Sequence, residues 1–214
     1  MPPAIPSEDI LAYQDALRRG DKRACAEIVQ RQVDRDVPLR SIFLALFQDG
    51  LYEIGRLWEE NRISVAIEHL ATSITLSLLH IVYPRLFRIP RTGRAAIVAT
   101  APGEQHYVGA RLVADICELH GWDSHFVGSN TPLSEFRGII EEKRPDALAV
   151  SVTLRSSLPS LLTLIDTVQA FAPDLPLIIG GQGVAAVDPA VLVGYPAVRH
   201  HRTLDEFESF LAAA

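Results

Sequence analysis

The sequence is short of sulfur and carries no excess of positive charge. It has two cysteines and one methionine among 214 residues. Cys25 and Cys117 form no CxxC and sit in segments of helical pattern, so they read as reduced core thiols rather than a redox or metal pair. Twenty Lys and Arg face twenty-six Asp and Glu, a formal net charge of -6. Phosphate contacts need a basic face, so direct nucleic-acid binding by this chain is not expected. The opening residues, Met1 to Pro6, lack the charged start and long apolar run of a signal peptide. The most apolar long stretch, 63–83, carries Glu68, His69 and His80, which a membrane span rarely tolerates. The expectation is a cytoplasmic protein with no membrane partner. There is no G-x-G-x-x-G, no P-loop and no H-E-x-x-H.

What is present is apolar: 48% of residues, enough to bury a core in one large or two small domains. The first half reads as four amphipathic helices. Ser7 is the expected N-cap of the first, with Glu8 and Asp9 in its first turn and Gly20-Asp21 at its end. The second, from about 21 to 33, carries Ala24, Cys25, Ile28 and Val29 on one side. Pro38 opens the third, which holds Ile42, Phe43, Leu46, Phe47, Ile54 and Trp58. The fourth starts at Ile63 and carries Ile67, Leu70, Ile74 and Leu78. Short joints make these a four-helix bundle over 7–84. A polar linker over 85–93 follows, and its arginines, with Arg94 just beyond, read as a solvated hinge, phosphate contact being the alternative.

From 94 to 214 the pattern alternates strand and helix. Strands are expected at 95–101, 122–127, 147–152, 177–179 and near Val198. Helices are expected at 107–120, 133–143 and 156–171, then a short one after Gly183 and a last one from Leu204. This is an α/β chain ending in a flavodoxin-like, doubly wound, five-stranded parallel sheet of order 2-1-3-4-5.

Ligands of such sheets bind at the carboxyl ends of the strands. There the first loop carries Glu104, His106 and Gly109. A carboxylate two residues before a histidine can hold one ring nitrogen and leave the other for a metal. A lone loop histidine is more often structural, but this placement favours a functional one. Gly109 lets a bulky ligand approach the helix start. Ser151-x-Thr153 ends the third strand and Gly180-Gly181 the fourth, lining a slot beside that loop. In the helical half, Trp58 is followed by Glu68-His69, titratable groups on an otherwise apolar helix that ask for a partner.

Glu104-x-His106-x-x-Gly109, Ser151-Val152-Thr153 and Gly180-Gly181 resemble the motif of the cobalamin-binding, Rossmann-like domain of methionine synthase, mutases and corrinoid proteins. That motif is usually written D-x-H-x-x-G, S-x-L or S-x-T, and G-G. Trp58-x9-Glu68-His69 on a helical bundle is similar to the light-sensing module of CarH-type photoreceptors, where Glu also replaces the usual Asp.

The resemblance implies bound adenosylcobalamin. His106 would be the lower cobalt ligand, oriented by Glu104, and Ser151, Thr153, Gly180 and Gly181 would wrap the detached nucleotide tail. The bundle would cover the upper face, with Trp58, Val65 and Glu68 at the adenosyl group. Light would break the cobalt–carbon bond, and His69 would then move in as an upper ligand. A DNA-reading winged helix like that family's is not expected in this chain. The output is therefore expected through a light-dependent homo-oligomer or an unidentified protein partner, without catalysis. The alternative is a corrinoid protein that carries methyl groups for a separate methyltransferase.

Overall fold

Apolar residues three and four apart set the helices of the first half. In the computed structural model, which describes residues 3–184 and 194–214, the chain divides into two units, Met1–Arg88 and Ile89–Ala214. The first holds α1 (Ser7–Arg18), α2 (Lys22–Asp34), α3 (Leu39–Ser41), α4 (Asp49–Glu59) and α5 (Val65–Leu86). Tyr13, Leu17, Val29, Phe43, Phe47, Ile54 and Leu78 are buried among them. Each such apolar side chain contributes roughly 1.5–3 kcal/mol on leaving water. By length and composition α5 would suffice to cross a membrane, yet Ala71, Ile74, Leu78, Leu79, Val82 and Leu86 are buried, and it packs on α1, α2 and α4.

Three expectations about this unit change. Ser7 is the first helical residue, not the cap. Extended Pro6 precedes it, and the Pro6 carbonyl accepts from the N–H groups of Asp9 and Ile10. The third helix is not plainly α-helical, because Ile42–Gln48 between α3 and α4 is a π-helical stretch that continues both. The last helix starts at Val65, capped by the Ser64 hydroxyl, and runs through Pro84 to Leu86. Arg85 and Leu86 are thus helical rather than linker. Arg85 donates to the carbonyls of Val33 and Val37 at 3.4 and 3.0 Å.

Arg91 of the linker and Arg94 just beyond it are partly exposed but paired. Arg91 donates to the Trp122 carbonyl at 3.0 Å and pairs with Glu118. Arg94 pairs with Asp146 at 2.8 Å. Both belong to the second unit's own bonding.

That unit is a parallel sheet. Its strands are β1 (Ala95–Thr100), β2 (Asp123–Phe126), β3 (Ala147–Ser151), β4 (Leu177–Gly180) and β5 (Val198–His200). Their order is β2-β1-β3-β4-β5, every pair parallel. The helices are α6 (Val108–Leu119), α7 (Glu135–Lys143), α8 (Leu158–Phe171) and α9 (Leu204–Ala213). β1, β3 and β4 are apolar runs because both faces are covered. One face packs Ile97, Leu148, Val150, Leu177 and Ile179 with Phe136, Leu161, Leu164, Ile165 and Val168 of α7 and α8. α6 packs on β1 and β2 and touches α9. The short helix expected after Gly183 falls largely outside the described residues.

Candidate functional site

Three strands stop at one level. The register sets Thr100 beside Ser151 and Ser151 beside Gly180, so the ends of β1, β3 and β4 form a row at the carboxyl edge. The chain leaves β1 through Ala101, Pro102 and Gly103, whose φ of +84° suits glycine. The turn is tied down on every side. The Thr100 hydroxyl donates to the Glu104 carbonyl at 3.0 Å, the Gly103 N–H to Asn130 Oδ1 at 3.2 Å, and the Ser160 hydroxyl to the Pro102 carbonyl at 2.6 Å.

This turn sends the Glu104 side chain inward, where it is fully buried. Its Oε1 accepts from the His106 N–H at 3.0 Å and lies 2.6 Å from His106 Nδ1. Its Oε2 accepts from the N–H groups of Thr153 and Leu154 at 3.2 and 2.9 Å and from the Ser157 hydroxyl at 3.1 Å. Burial pushes this carboxyl up, but the hydrogen bonds from His106 and Leu154 outweigh it, and the net shift is below the ordinary glutamate value. Glu104 is therefore an anion that joins the β1–α6 loop to the segment after β3.

His106 is half exposed, at 49%. With Nδ1 turned to a carboxylate, Nε2 is the nitrogen left for a ligand. This is how metal-binding imidazoles are oriented. Among the described residues no group of three or more His, Cys, Asp or Glu could hold a bare metal ion. A metal bound through His106 must therefore bring its other donors with it, as a metal in a macrocycle does.

Among the glycines of the row, Gly109 leaves room at the backbone and the others pack closely. A Cβ on Gly109 would come no closer than 3.9 Å to any side chain, the Ser151 hydroxyl being nearest. A Cβ on Gly181, where φ is +103°, would strike the Val152 carbonyl oxygen at 2.4 Å. One on Gly183 would sit 3.0 Å from the backbone of Thr153 and Leu154. The glycine turn after β4 thus lies directly on the end of β3.

Of the residues expected here, Glu104, His106, Gly109, Ser151, Thr153, Gly180 and Gly181 are gathered at this edge. Thr153 contributes its backbone N–H to the Glu104 cluster rather than its hydroxyl. Ser157, Ser160, Asn130 and Thr100 were missed. The three serines at 156, 157 and 160, at a helix start, were the available signal.

In the first unit, Trp58 lies in the last turn of α4 and is 43% exposed. Val65 opens α5 and is also exposed. Glu68 Oε2 lies 2.6 Å from His69 Nδ1, and the Thr72 hydroxyl donates to Glu68 Oε1 at 3.1 Å. His69 is 75% exposed. This is a second carboxylate–imidazole couple held through Nδ1.

The B12 binding domain family matches residues 94–200, and a second family of the same description matches 10–83. The chain is 32% identical over 123 residues to the HTH-type transcriptional repressor CarA of Myxococcus xanthus, which is 57% of this chain and 42% of the repressor. It therefore spans less than half the length of that relative. It is 19% identical over 155 residues to trimethylamine corrinoid protein 1 of Methanosarcina acetivorans, covering 71% and 72% of the two chains. Its fold is similar to that of the monomethylamine corrinoid protein of Methanosarcina barkeri, with a TM-score of 0.81 and 16% identity over 97% and 99% of the chains. It is also similar to a chain of the methanol:cobalamin methyltransferase complex MtaBC of the same organism, with a TM-score of 0.51 and 15% identity over 99% and 82%.

Proposed function

The chain belongs to the B12 binding domain family, and from that premise we propose that it is a cobalamin-binding light sensor rather than an enzyme. The residues of the carboxyl edge fit the cofactor. His106, oriented by Glu104, offers one imidazole nitrogen to a metal that carries its own macrocycle. Beside buried Thr100, Ser151 and Gly180 present a hydroxyl and bare backbone to a polar tail.

The observation that carries the sensor reading is the Trp58-x9-Glu68-His69 pattern with Glu68 holding His69 Nδ1 at 2.6 Å. Trp58, Val65 and Glu68 are assigned to an adenosyl group, a planar base that an indole can stack on. Bound adenosylcobalamin supplies a weak cobalt–carbon bond that visible light breaks. His69, with Nε2 free of its carboxylate partner, is the residue assigned to the vacated position. The change is read out through contacts with a second copy or a partner protein. Likeness to the repressor CarA supports a regulatory role.

Likeness to two corrinoid proteins favours a second reading, a methyl carrier that serves a separate methyltransferase. One experiment separates the two. The protein is loaded in the dark with adenosylcobalamin or methylcobalamin and then illuminated, and absorbance and size-exclusion elution are followed. A sensor changes its spectrum irreversibly and shifts its elution with the adenosyl form. An unchanged elution profile, with methyl transfer to or from an added transferase, refutes the sensor reading. If His106→Ala leaves the spectrum of bound cobalamin unchanged, the lower-ligand assignment fails.

A further inference from the structure

Asp115, in the middle of α6, is buried, and nothing in the Glu104–His106 cluster uses it. Its Oδ1 lies 3.3 Å from Arg111 Nη2, one turn earlier. Its Oδ2 has no hydrogen-bond partner among the described residues. A buried carboxylate oxygen left unpaired costs stability, so an apolar residue would be the more stable choice here.

The pair leads back to the ligand loop. The Arg111 guanidinium carbon stands 5.6 Å from the centre of the Phe126 ring. Phe126, the last residue of β2, stacks on Tyr107, with ring centroids 6.2 Å apart and planes at 27°. Tyr107 follows His106 directly and is the N-cap residue of α6, its carbonyl accepting from the Arg111 N–H at 2.9 Å. Four side chains in contact thus run from Asp115 to the neighbour of the histidine.

Few groups set the charge on Asp115. Burial disfavours the ionised form, Arg111 opposes this and Glu118 adds to it, which leaves the carboxyl at about 7. Glu118 is itself paired with Arg91 of the linker. Of the strands packed on α6, β1 and β3 carry no charged residue, and β2 carries Asp123 and His125, 3.9 Å from each other. α9 carries Asp205, Glu206 and Glu208, of which Glu206 accepts from the Arg202 N–H and Glu208 lies 3.2 Å from His120 Nε2.

We propose that Asp115 and Arg111 are positioning residues for His106. Ionised Asp115 holds Arg111 over Phe126, Phe126 holds Tyr107, and the loop that presents His106 is steadied. A proton taken up by Asp115 from solvent removes that ion pair and loosens the chain of contacts. Cofactor affinity is thereby tied to pH through a group remote from the ligating nitrogen. This rests on the cobalamin-binding reading above.

The test uses the full chain without cofactor, titrated with hydroxocobalamin at about pH 6 and about pH 8, on either side of the Asp115 value. Absorbance and co-elution report binding. Any protonation of the ligand or of His106 enters wild type and variant alike and cancels in their ratio. At the higher pH Asp115→Asn is expected to bind about threefold more weakly than wild type, the worth of one partly exposed cation–aromatic contact. At the lower pH it binds within about 1.5-fold of wild type, because both side chains are then neutral. Arg111→Met behaves as Asp115→Asn does at both pH values, and the double variant loses no more than either. Thermal melts run alongside, and at the higher pH Asp115→Asn is the more stable protein and the weaker binder, a combination that a purely structural role does not give. A ratio equal at both pH values, a ratio that grows on acidification, or additive losses in the double variant overturn the proposal. Wild-type protein that binds hydroxocobalamin at neither pH overturns the cobalamin reading itself, which is a different failure.

Discussion

Glu104 is the residue on which the site's geometry turns, and its replacement gives the most informative measurement. Five hydrogen-bond contacts converge on one buried carboxylate, two from His106 and three from the segment 153–157. Hydrogen bonds to a charged group are worth about 1.5–3 kcal/mol each, though they are not additive. Removing one partner of a buried charged network costs about 3–5 kcal/mol. For a chain of this size each kcal/mol shifts the melting temperature by about 2–4 °C, so Glu104→Ala is expected to lower it by roughly 6–20 °C. Glu104→Gln keeps the shape but turns an amide NH2 toward groups that also donate, and is expected to lose about half as much. Glu104→Asp, one methylene shorter, reaches His106 or the Thr153–Leu154 amides but not both.

The assay is thermal unfolding of the cofactor-free protein, repeated against pH. The Glu104 carboxyl is held below its ordinary value, so its stabilisation is complete above about pH 4.5 and is lost as pH falls through the folded-state value. The gap between wild type and Glu104→Gln must therefore close on acidification. A Glu104→Gln melt within about 2 °C of wild type at pH 7 would refute the reasoning.

Asp115 on α6 is buried, its Oδ2 has no hydrogen-bond partner among the described residues, and burial, opposed by Arg111 and reinforced by Glu118, lifts its carboxyl to about 7. The folded state holds that proton more tightly than the unfolded one. Ionisation therefore costs stability from about pH 4 up to about pH 7, and Asp115→Asn is expected to melt about 5 °C or more above wild type at pH 8, with little difference at pH 4. An equal gap at both pH values would contradict this. Gly181→Ala, which drives a Cβ into the Val152 carbonyl, is expected to cost about 2 kcal/mol or more, whereas Gly138→Ala, in the open interior of α7, gains up to about 1 kcal/mol by chemical denaturation. His69→Ala should leave dark-state binding of adenosylcobalamin near wild type and alter the spectrum after illumination, and an identical illuminated spectrum removes His69 from that role.

The sheet was legible because β1, β3 and β4 are unbroken apolar runs, a consequence of burial on both faces. β2, Asp-Ser-His-Phe at the sheet edge, is one residue shorter at each end than the expected 122–127. The Glu104–His106 couple was legible because its partners are two residues apart. The rest of the cluster was not, because Thr153, Leu154 and Ser157 come from the other side of a strand pairing that no local pattern encodes. Arg91 and Arg94 look like any solvated basic linker until Trp122, Glu118 and Asp146 are found beside them. The cap at Ser7 failed for a local reason, since Pro6 already holds the extended geometry and lends its carbonyl.

The π-helical stretch Ile42–Gln48 acts on α4 as a crank acts on its shaft. Each residue advances an α-helix by about 100°, so gaining or losing one position upstream turns everything after it by more than a quarter circle. The bearing of the Trp58 indole is thus decided at Ile42–Gln48, well before the tryptophan is reached. Deleting a single residue there would leave α4 apolar, helical and aimed the wrong way.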